Sequence, residues 1–540
     1  MSKARGTDSF DYVIVGAGAA GCVIANRLSA DPSVRVALVE AGPSDRRFPT
    51  NIKTALPIGN IFLLPHARYN WQYHFSGGPG IGGRIIPCPR GRLLGGSTSV
   101  NGTVYIRGHR LDYDDWAAMG NTGWSYDEVL QAFKGHENFT GGTGPFHGSG
   151  GELDVQRLAR PNALAMAFVE SAVAAGYERN ADFNGAEQDG FGLFHVNHRR
   201  GVRLSSSRAF LHPVLSRSNL QVITGALVEK VRLQKTRAVG VTLRSTGGCR
   251  ELHARREVVL AAGTINSAQL LLLSGIGPAS QLESHRIPVV LDVPGVGRNL
   301  QDHPSVSLIR TDPSSQSYAL NWRSAWRAAI APWWYLAGRT GMLASNAAEA
   351  GGFIRSQPSV DRPDLQMTFM VGMKENARTL PRRHGFVCHV AVQRPASRGC
   401  VELSSADPAA RPVIRPGFLE NRHDVELLKH GLREARRIAA SGALAKLGGE
   451  ELGPGAAACD DRQLEAYVRG TATTTYHPVG TCRMGPSGDR EAVVDPRLRV
   501  HGIEGLRVAD ASIMPRIISG NTAAASMMIG ERAAAFMLAS

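Results

Sequence analysis

The first forty residues change their apolar spacing twice. Tyr12 to Val15 is an unbroken apolar run, the pattern of a strand buried on both faces. Gly16, Gly18 and Gly21 follow at once in the spacing G-x-G-x-x-G, and Cys22, Val23, Ile24, Ala25 and Leu28 fit one side of a helix. Val34 to Val39 is a second apolar run, and it ends on Glu40. Strand, glycine turn, helix, second strand and terminal acid together form the β-α-β fingerprint of a dinucleotide site. Gly16 lets the chain turn off the strand, Gly18 has no Cβ to hold a pyrophosphate away, and Gly21 lets the helix pack close. The helix N-terminus presents free N–H groups to phosphate. Glu40 stands where a carboxylate accepts ribose hydroxyls and repels a 2′-phosphate, which argues against NADP. A glycine-rich turn in an unrelated α/β domain is the alternative.

Later segments return to this theme. Residues 43 to 90, rich in Pro, Gly and aromatics, read as an irregular excursion. Gly95-Gly96 followed by Ser97, Thr98, Ser99 and Asn101 makes a polar turn that can lay N–H groups and hydroxyls against a phosphate or a flat ring. A helix cap is the alternative there. Residues 112 to 138 predict an amphipathic helix, and 140 to 151 a loop. Leu220 to Gly240 reads as strands and a turn, Glu257 to Gly263 as a buried strand, and the stretch after it as a helix ending at Gly275. Gly505 to Asp510 is a short strand ending in an acid, before a final helix from about Thr522. The nucleotide domain is therefore expected to be discontinuous in sequence.

Residues 306 to 480 have another texture. Asp364 to Met370 and Gly385 to Gln393 alternate like strands of an antiparallel sheet, the expected floor of a substrate chamber. Trp322, Trp326, Ile330 and Trp333-Trp334 fall roughly at helical spacing. They predict a helix packed into the second domain, with a membrane-facing helix as the alternative. Pro332 is expected to interrupt or start it.

The chain has 540 residues, enough for two or more domains, and 43% hydrophobic with 20% charged residues is ordinary for a globular protein. The net charge of +15 is scattered, with no basic tail or long basic helix, so nucleic-acid binding is disfavoured. A basic surface is compatible with anionic substrates or an anionic membrane face. Seven dispersed cysteines form no C-x-x-C and no metal-ligand cluster, which suits reduced thiols and no metal. With no signal-peptide pattern and no spanning apolar segment, the expected location is cytoplasmic, with peripheral contact at the inner membrane compatible.

Six stretches together resemble the glucose–methanol–choline (GMC) oxidoreductase family over essentially the whole chain. They are GAGAAG at 16–21, GRLLGGSTSVNG at 91–102, AAGTINSAQLLLLSGIGP at 261–278, PGVGRNLQDH at 294–303, YHPVGTCRMG at 476–485 and VADASIMPRIISGNT at 508–522. Within the family the chain most resembles bacterial choline-dehydrogenase-like and aliphatic alcohol dehydrogenases. The resemblance implies an α/β fold: a Rossmann-like FAD-binding domain (1–160, 215–310, 490–540) and a substrate-binding domain built on an antiparallel sheet flanked by helices (161–214, 311–489). It implies FAD as cofactor, oxidation of a primary or secondary alcohol, and a quinone or other electron acceptor. Gly16, Gly18, Ala19, Ala20, Gly21, Glu40 and Ala41 are then expected to hold the ADP part, and Gly95, Ser97, Asn101, Gly102, Thr103 and Val104 to line pyrophosphate and flavin. Val228 is expected to meet the adenine side through its backbone, and Asp510 and Ala511 to lie by the ribityl chain or pyrophosphate, though Asp510 also fits a helix cap. Ala262 and Thr522 complete the expected cofactor contacts.

Alcohol oxidation needs a base for the hydroxyl proton and a hydride acceptor facing the carbon. Among seventeen histidines, His477 is singled out by the backbone constraint of Pro478 and Gly480 and by the family motif. An ordinary imidazole titrates near ~6.5 and can accept a proton at neutral pH. Asn521 occupies the second catalytic position; an amide cannot act as base, but it can donate to the substrate oxygen. Its alternative role is to cap the last helix.

Three departures from the family matter. Val100 sits near where some choline oxidases carry a histidine bonded to FAD, so the flavin is expected to be non-covalent. Ala268 and Ala525 replace family prolines and are expected to alter loop stiffness. Gln393 precedes Arg394-Pro395 where the fatty-acid photodecarboxylases carry Cys, which disfavours that chemistry. The remaining alternatives are an oxidase using O₂, a non-redox lyase and a nucleotide-binding protein without chemistry. Glu349 or the tryptophans are candidates for a choline cage, but a net basic chain gives no support to a cationic substrate, and a medium-chain or aryl alcohol is expected rather than choline.

Overall fold

A computed structural model describes residues 8–321, 324–373 and 382–539; Trp322 lies outside them. The fingerprint folds as its residue types require. Strand β1 (Ser9–Val15) is almost wholly buried, helix α1 (Ala19–Leu28) follows, and strand β2 (Val36–Glu40) lies parallel to β1. A Cβ at Gly21 would stand 1.9 Å from the Gly16 carbonyl oxygen, so no other residue lets α1 lie this close to the turn. Gly16 itself has φ +100°, and a Cβ there would stand 2.5 Å from the Ala261 carbonyl oxygen.

The first sheet has seven strands. Leu220–Thr224, β2, β1, Gly248–Leu260 and Leu506–Val508 run parallel in that order. The long strand Gly248–Leu260 also carries an antiparallel ribbon, Arg237–Ser245 with Leu227–Gln234, on its N-terminal half. Val228 lies in that ribbon, opposite Leu243. Strands from residues 9 to 508 share this sheet, so the nucleotide fold is discontinuous in sequence.

The second sheet is antiparallel throughout. Its order is Glu451–Gly453, Pro304–Thr311, Gly385–Val392, Leu365–Met370, Ala348–Ile354 and Gly190–Leu193, with Thr473–Thr474 paired to the start of Pro304–Thr311. Helix Arg422–Ala439 buries Val425, Leu428, Leu432, Ala435 and Ile438 on this side of the molecule, a helical spacing that removes one face from water. Each of the Val, Leu and Ile side chains contributes about 1.5–3 kcal/mol when fully buried.

The two apolar cores do not follow the expected division of the chain at every point. Leu204 to Val214 and Val479, Cys482 and Met484, expected with the second unit, pack in the first core. Tyr73, Phe75, Ile86 and Cys88, expected with the first, pack in the second. The helix expected over 112–138 is two helices, Arg110–Ala118 and Tyr126–His136. Gly120 and Gly123, at φ +89° and +88°, break it, and a Ser125–Glu128 capping box restarts it. Ala268 and Ala525 lie inside helices Gly263–Leu273 and Ala523–Leu538 rather than in loops.

The aromatic helix, Ala325–Gly338, contains Pro332. It does not pack as expected: only Ala331 and Tyr335 are buried, while Trp326, Trp333, Trp334 and Leu336 are exposed. Among the described residues no helix is long and apolar enough to cross a membrane.

Replacing Gly21 by Ala is expected to cost about 1–3 kcal/mol, because its methyl meets rigid backbone. Urea unfolding of the cofactor-free protein checks this; a midpoint equal to that of the natural chain would contradict the packing.

Candidate active site

Two glycine turns meet at the head of the first sheet. The Gly95 N–H donates to the Ala17 carbonyl at 2.8 Å, and a Cβ on Gly96 would lie 2.9 Å from the Gly18 Cα. Gly18 faces the other way: a Cβ there would have only the Ala261 carbonyl oxygen nearby, at 3.9 Å, and one on Gly102 would meet nothing within 4 Å. The N-terminus of α1, at Ala19, Ala20 and Gly21, carries no side-chain cap. Its first N–H groups are therefore not consumed by a neighbouring side chain.

Glu40 is buried at the end of β2. Its Oε2 accepts from the Ala17 N–H at 3.1 Å and its Oε1 from the Gly42 N–H at 2.8 Å; Ala41, the residue after it, is partly exposed. Burial outweighs these bonds and pushes its carboxyl up to about 7. Further hydroxyl donors, such as those of a ribose, would favour the charged form.

The polar turn is held from behind. Ser97 Oγ accepts from Arg90 Nε and the Gly91 N–H, at 3.2 and 3.1 Å. Asn101 Oδ1 accepts from the Thr103 N–H and from Arg203 Nη1, at 3.1 and 2.8 Å. The Gly102 carbonyl accepts from Asn346 Nδ2 at 2.7 Å, and Thr103 Oγ1 lies 2.8 Å from His198 Nε2. Val104 packs beside Ile106 and Phe194. Val100 is buried against Leu63, Tyr69 and Leu93.

Asp510 lies at the turn that follows strand Gly248–Leu260. It accepts from the Gly263 N–H at 2.8 Å, from Ser267 Oγ at 2.6 Å and from the Ser512 N–H at 2.8 Å. It therefore caps the short 3₁₀ turn Ala511–Ile513, and Ser267 Oγ also accepts from the Ala262 N–H at 3.2 Å. Thr522 starts the final helix without a side-chain cap bond.

His477 and Asn521 are neighbours, with Asn521 Nδ2 3.1 Å from His477 Nε2. The other face of the imidazole meets residues that the motif PGVGRNLQDH contains but to which sequence reasoning gave no role. His303 Nδ1 lies 3.1 Å from His477 Nδ1, and His303 Nε2 lies 3.0 Å from the Ile518 carbonyl. A carbonyl only accepts, so His303 Nε2 carries a hydrogen. Burial depresses His303 to about 4, so the ring is neutral and its Nδ1 is a bare acceptor. His477 Nδ1 must then carry the shared hydrogen, with Thr475 Oγ1 as a second acceptor at 3.0 Å. Its Nε2 is left without a hydrogen, an acceptor that meets the Asn521 Nδ2 donor at 3.1 Å.

The backbone is fixed with equal care. Asp302 Oδ1 accepts from the His477 N–H at 2.9 Å, and Oδ2 accepts from Thr474 Oγ1. Burial raises Asp302 to about 6. Gln301 and Val479 exchange backbone bonds at 3.0 and 2.8 Å, which sets His303 and His477 side by side. Tyr476 sits at φ +68°, a costly position for a tyrosine, and directs the chain into the site. Arg90 joins both halves, since Nε meets Ser97 Oγ and Nη1 meets the Tyr476 carbonyl at 2.9 Å. Thr264 Oγ1 donates to the Pro478 carbonyl at 2.7 Å, tying the same loop to the helix after Ala262.

Burial first, then the facing His303 and Arg90, lowers His477 well below the ordinary 6.5. The ring is packed deep among protein atoms yet keeps part of its surface accessible. Asn521 Oδ1 is buried with no partner among the described residues. A half-satisfied amide, open faces at Gly18 and Gly102, and uncapped helix N-termini fit a flat, anionic dinucleotide between the glycine turns and His477.

A Rossmann-type cradle with a neutral imidazole beside it is an arrangement that dinucleotide-dependent oxidoreduction can use. The GMC oxidoreductase family model matches residues 10–305 with its N-terminal part and residues 395–530 with its C-terminal part. The chain belongs to the GMC oxidoreductase family, and its cofactor is FAD. It is 41% identical over 529 residues to an alcohol dehydrogenase [acceptor] of Pseudomonas putida, covering 97% of this chain and 95% of that protein. It is 42% identical to the mitochondrial choline dehydrogenase of Homo sapiens, covering 98% and 89%. Among solved structures, pyridoxine 4-oxidase from Mesorbium loti superimposes with a TM-score of 0.88 at 30% identity, covering 98% of this chain and 99% of that one.

Gly18 separates cofactor binding from folding. Gly18→Ala is expected to leave cofactor-free stability unchanged and to weaken FAD binding by about ten-fold or more, since the methyl enters the space facing the phosphates. Flavin fluorescence titration with a parallel melt checks this; equal FAD affinity would place the phosphates elsewhere.

Proposed function

We propose that the protein oxidises a primary or secondary alcohol to the carbonyl, with His477 as the base and Asn521 as the hydrogen-bond donor to the substrate oxygen. The observation that carries this is the bare Nε2 of His477, left without its hydrogen by the His303–Ile518 bond. FAD, when bound, supplies the hydride acceptor. His477 Nε2 takes the hydroxyl proton, while Nδ1 remains donated to His303 and Thr475. Asn521 Nδ2 is 3.1 Å from the same Nε2, placed to stabilise charge on the oxygen that loses its proton. A positioned base contributes about 10²–10⁴ in rate.

A neutral alcohol is favoured over choline as substrate. Glu349 is buried, with Oε1 accepting from Tyr318 OH at 3.1 Å and from Ser345 Oγ at 2.5 Å, and Oε2 accepting from the Asn162 N–H at 2.5 Å. Burial also raises its carboxyl, so it offers little charge to a quaternary ammonium. Trp326, Trp333 and Trp334 stand on the outer surface and form no cage. The name of the Pseudomonas putida relative supports an alcohol and a separate acceptor, which we take to be a quinone or similar carrier. Pyridoxine 4-oxidase, similar in fold, supports O₂ as the second reading; stoichiometric peroxide with an alcohol would establish it in place of the first.

Anaerobic bleaching of the flavin by an alcohol tests the reaction. His477→Ala is expected to slow bleaching by about 10² or more with FAD still bound; near-normal bleaching would remove His477 from the base role. Protonation abolishes the acceptor, and burial moves that protonation to lower pH. The bleaching rate in the natural chain is therefore expected to hold between pH 8 and pH 6, whereas an ordinary imidazole would lose about four-fold at the acid end. Valine at position 100 offers no nucleophile, so acid precipitation is expected to release the FAD, and a yellow pellet would count against non-covalent binding.

A further inference from the structure

The aromatic helix leaves a surface that the reaction does not use. Trp333 is 72% exposed, Leu336 71% and Trp326 55%. A second segment adds Phe48 at 79% and Ile52 at 52%. Scattered exposed apolar residues need no explanation, but two adjacent clusters do. Arg208 lies between them, its Nη2 donating to the Asn51 carbonyl at 2.8 Å while its charge acts on Tyr335 of the aromatic helix. The hairpin of His198–Arg199 and Val202–Arg203 borders both: Gly201 packs on Arg339 at the end of that helix, and Arg203 donates to the Pro57 carbonyl.

The charge pattern of this face is one-sided. Residues 46–68, 197–217 and 313–348 contain no Asp or Glu at all. They do contain Arg46, Arg47, Lys53, Arg200, Arg327 and Arg339. Exposed tryptophans beside arginines, as Trp326 is beside Arg327, in segments that carry no acid, match an interface where apolar tails lie beneath anionic headgroups. Among protein surfaces, an acidic partner would complement the arginines but would leave protruding Trp333 and Leu336 to find pockets. A bilayer accepts both without a shaped partner.

We propose that the face made by helix Ala325–Gly338 and residues 46–62 docks on an anionic membrane surface, with the tryptophans in the headgroup region and the arginines on the lipid phosphates. The face adjoins the candidate site. The chain leaving the aromatic helix reaches Asn346, which bonds the Gly102 carbonyl at 2.7 Å, and Arg203 bonds Asn101 at 2.8 Å. Docking thus sets the flavin-side turn near the bilayer, where an apolar alcohol or acceptor concentrates. The surface argument stands independently of the acceptor's identity.

Co-sedimentation of the FAD-loaded full chain with vesicles tests this. Binding is expected to vesicles of phosphatidylcholine with phosphatidylglycerol, weaker on phosphatidylcholine alone, and reduced by salt. The triple variant Trp326→Ser, Trp333→Ser, Leu336→Ser is expected to lose binding by about ten-fold or more, with dye-coupled turnover of a soluble alcohol unchanged. Should that variant fold poorly, Arg46→Glu with Arg47→Glu on the neighbouring exposed turn is expected to abolish the preference for anionic vesicles. Vesicle binding that is absent in the natural chain, or equal in the variants, overturns the proposal. Loss of a dimer in the triple variant without vesicle binding would overturn it in favour of self-association.

Discussion

One hydrogen bond decides the proton positions of the candidate site: His303 Nε2–H to the Ile518 carbonyl. A backbone oxygen cannot donate, and a buried His303 depressed to about 4 cannot hold two protons at neutral pH. Both facts push the lone pair to His303 Nδ1, then the hydrogen to His477 Nδ1, then the second lone pair to His477 Nε2. A carbonyl on one loop thus specifies the tautomer of an imidazole two rings away. The loop is rigid for independent reasons, since Asn299 and Gln301 both donate to the Pro515 carbonyl just upstream of Ile518, at 3.2 and 3.1 Å.

Burial does opposing things to the acid and base groups here, and their magnitudes sort their roles. Glu40 keeps two backbone donors and still rises to about 7, so desolvation exceeds the gain from two N–H bonds. Asp302 also rises, to about 6, and both of its oxygens are occupied. In both, each oxygen already accepts from a local donor: two backbone N–H groups for Glu40, the His477 N–H and the Thr474 hydroxyl for Asp302. His477 is the group whose acceptor atom faces only an amide, and burial keeps that atom unprotonated. In the proposed reading the chemistry rests on the imidazole because the carboxylates are committed to holding backbone.

The fingerprint was legible because its constraints are local. Three glycines, two apolar runs and one acid fix a turn whose forbidden Cβ positions, 1.9 Å at Gly21 and 2.5 Å at Gly16, are set by backbone within that unit or its parallel neighbour. The His477–Asn521 pair was legible only through the motifs of the family, since 44 residues separate the two in the chain. His303 was missed although its motif was seen: it lies 174 residues from His477, and its importance comes from a tautomer argument that needs coordinates. The break in the helix expected over 112–138 was visible as Gly120 and Gly123, but a hydrophobic period that resumes from Tyr126 hides it.

The tryptophan helix shows where periodicity misleads. Helical spacing of Trp326, Ile330 and Trp333-Trp334 marks a face, and a globular core is the commonest thing to cover a face. Here the covered residues are Ala331 and Tyr335, on the other side of the same helix. Periodicity reports that a face exists; charge reports what surrounds it. Residues 313–348 contain no acid, and among the described residues Arg327 donates to the Ser315 carbonyl and Arg339 lies over the Tyr335 ring, neither in an ion pair. A bulky apolar face flanked by such arginines is costly to leave in water, and the docking we propose on an anionic bilayer would satisfy both.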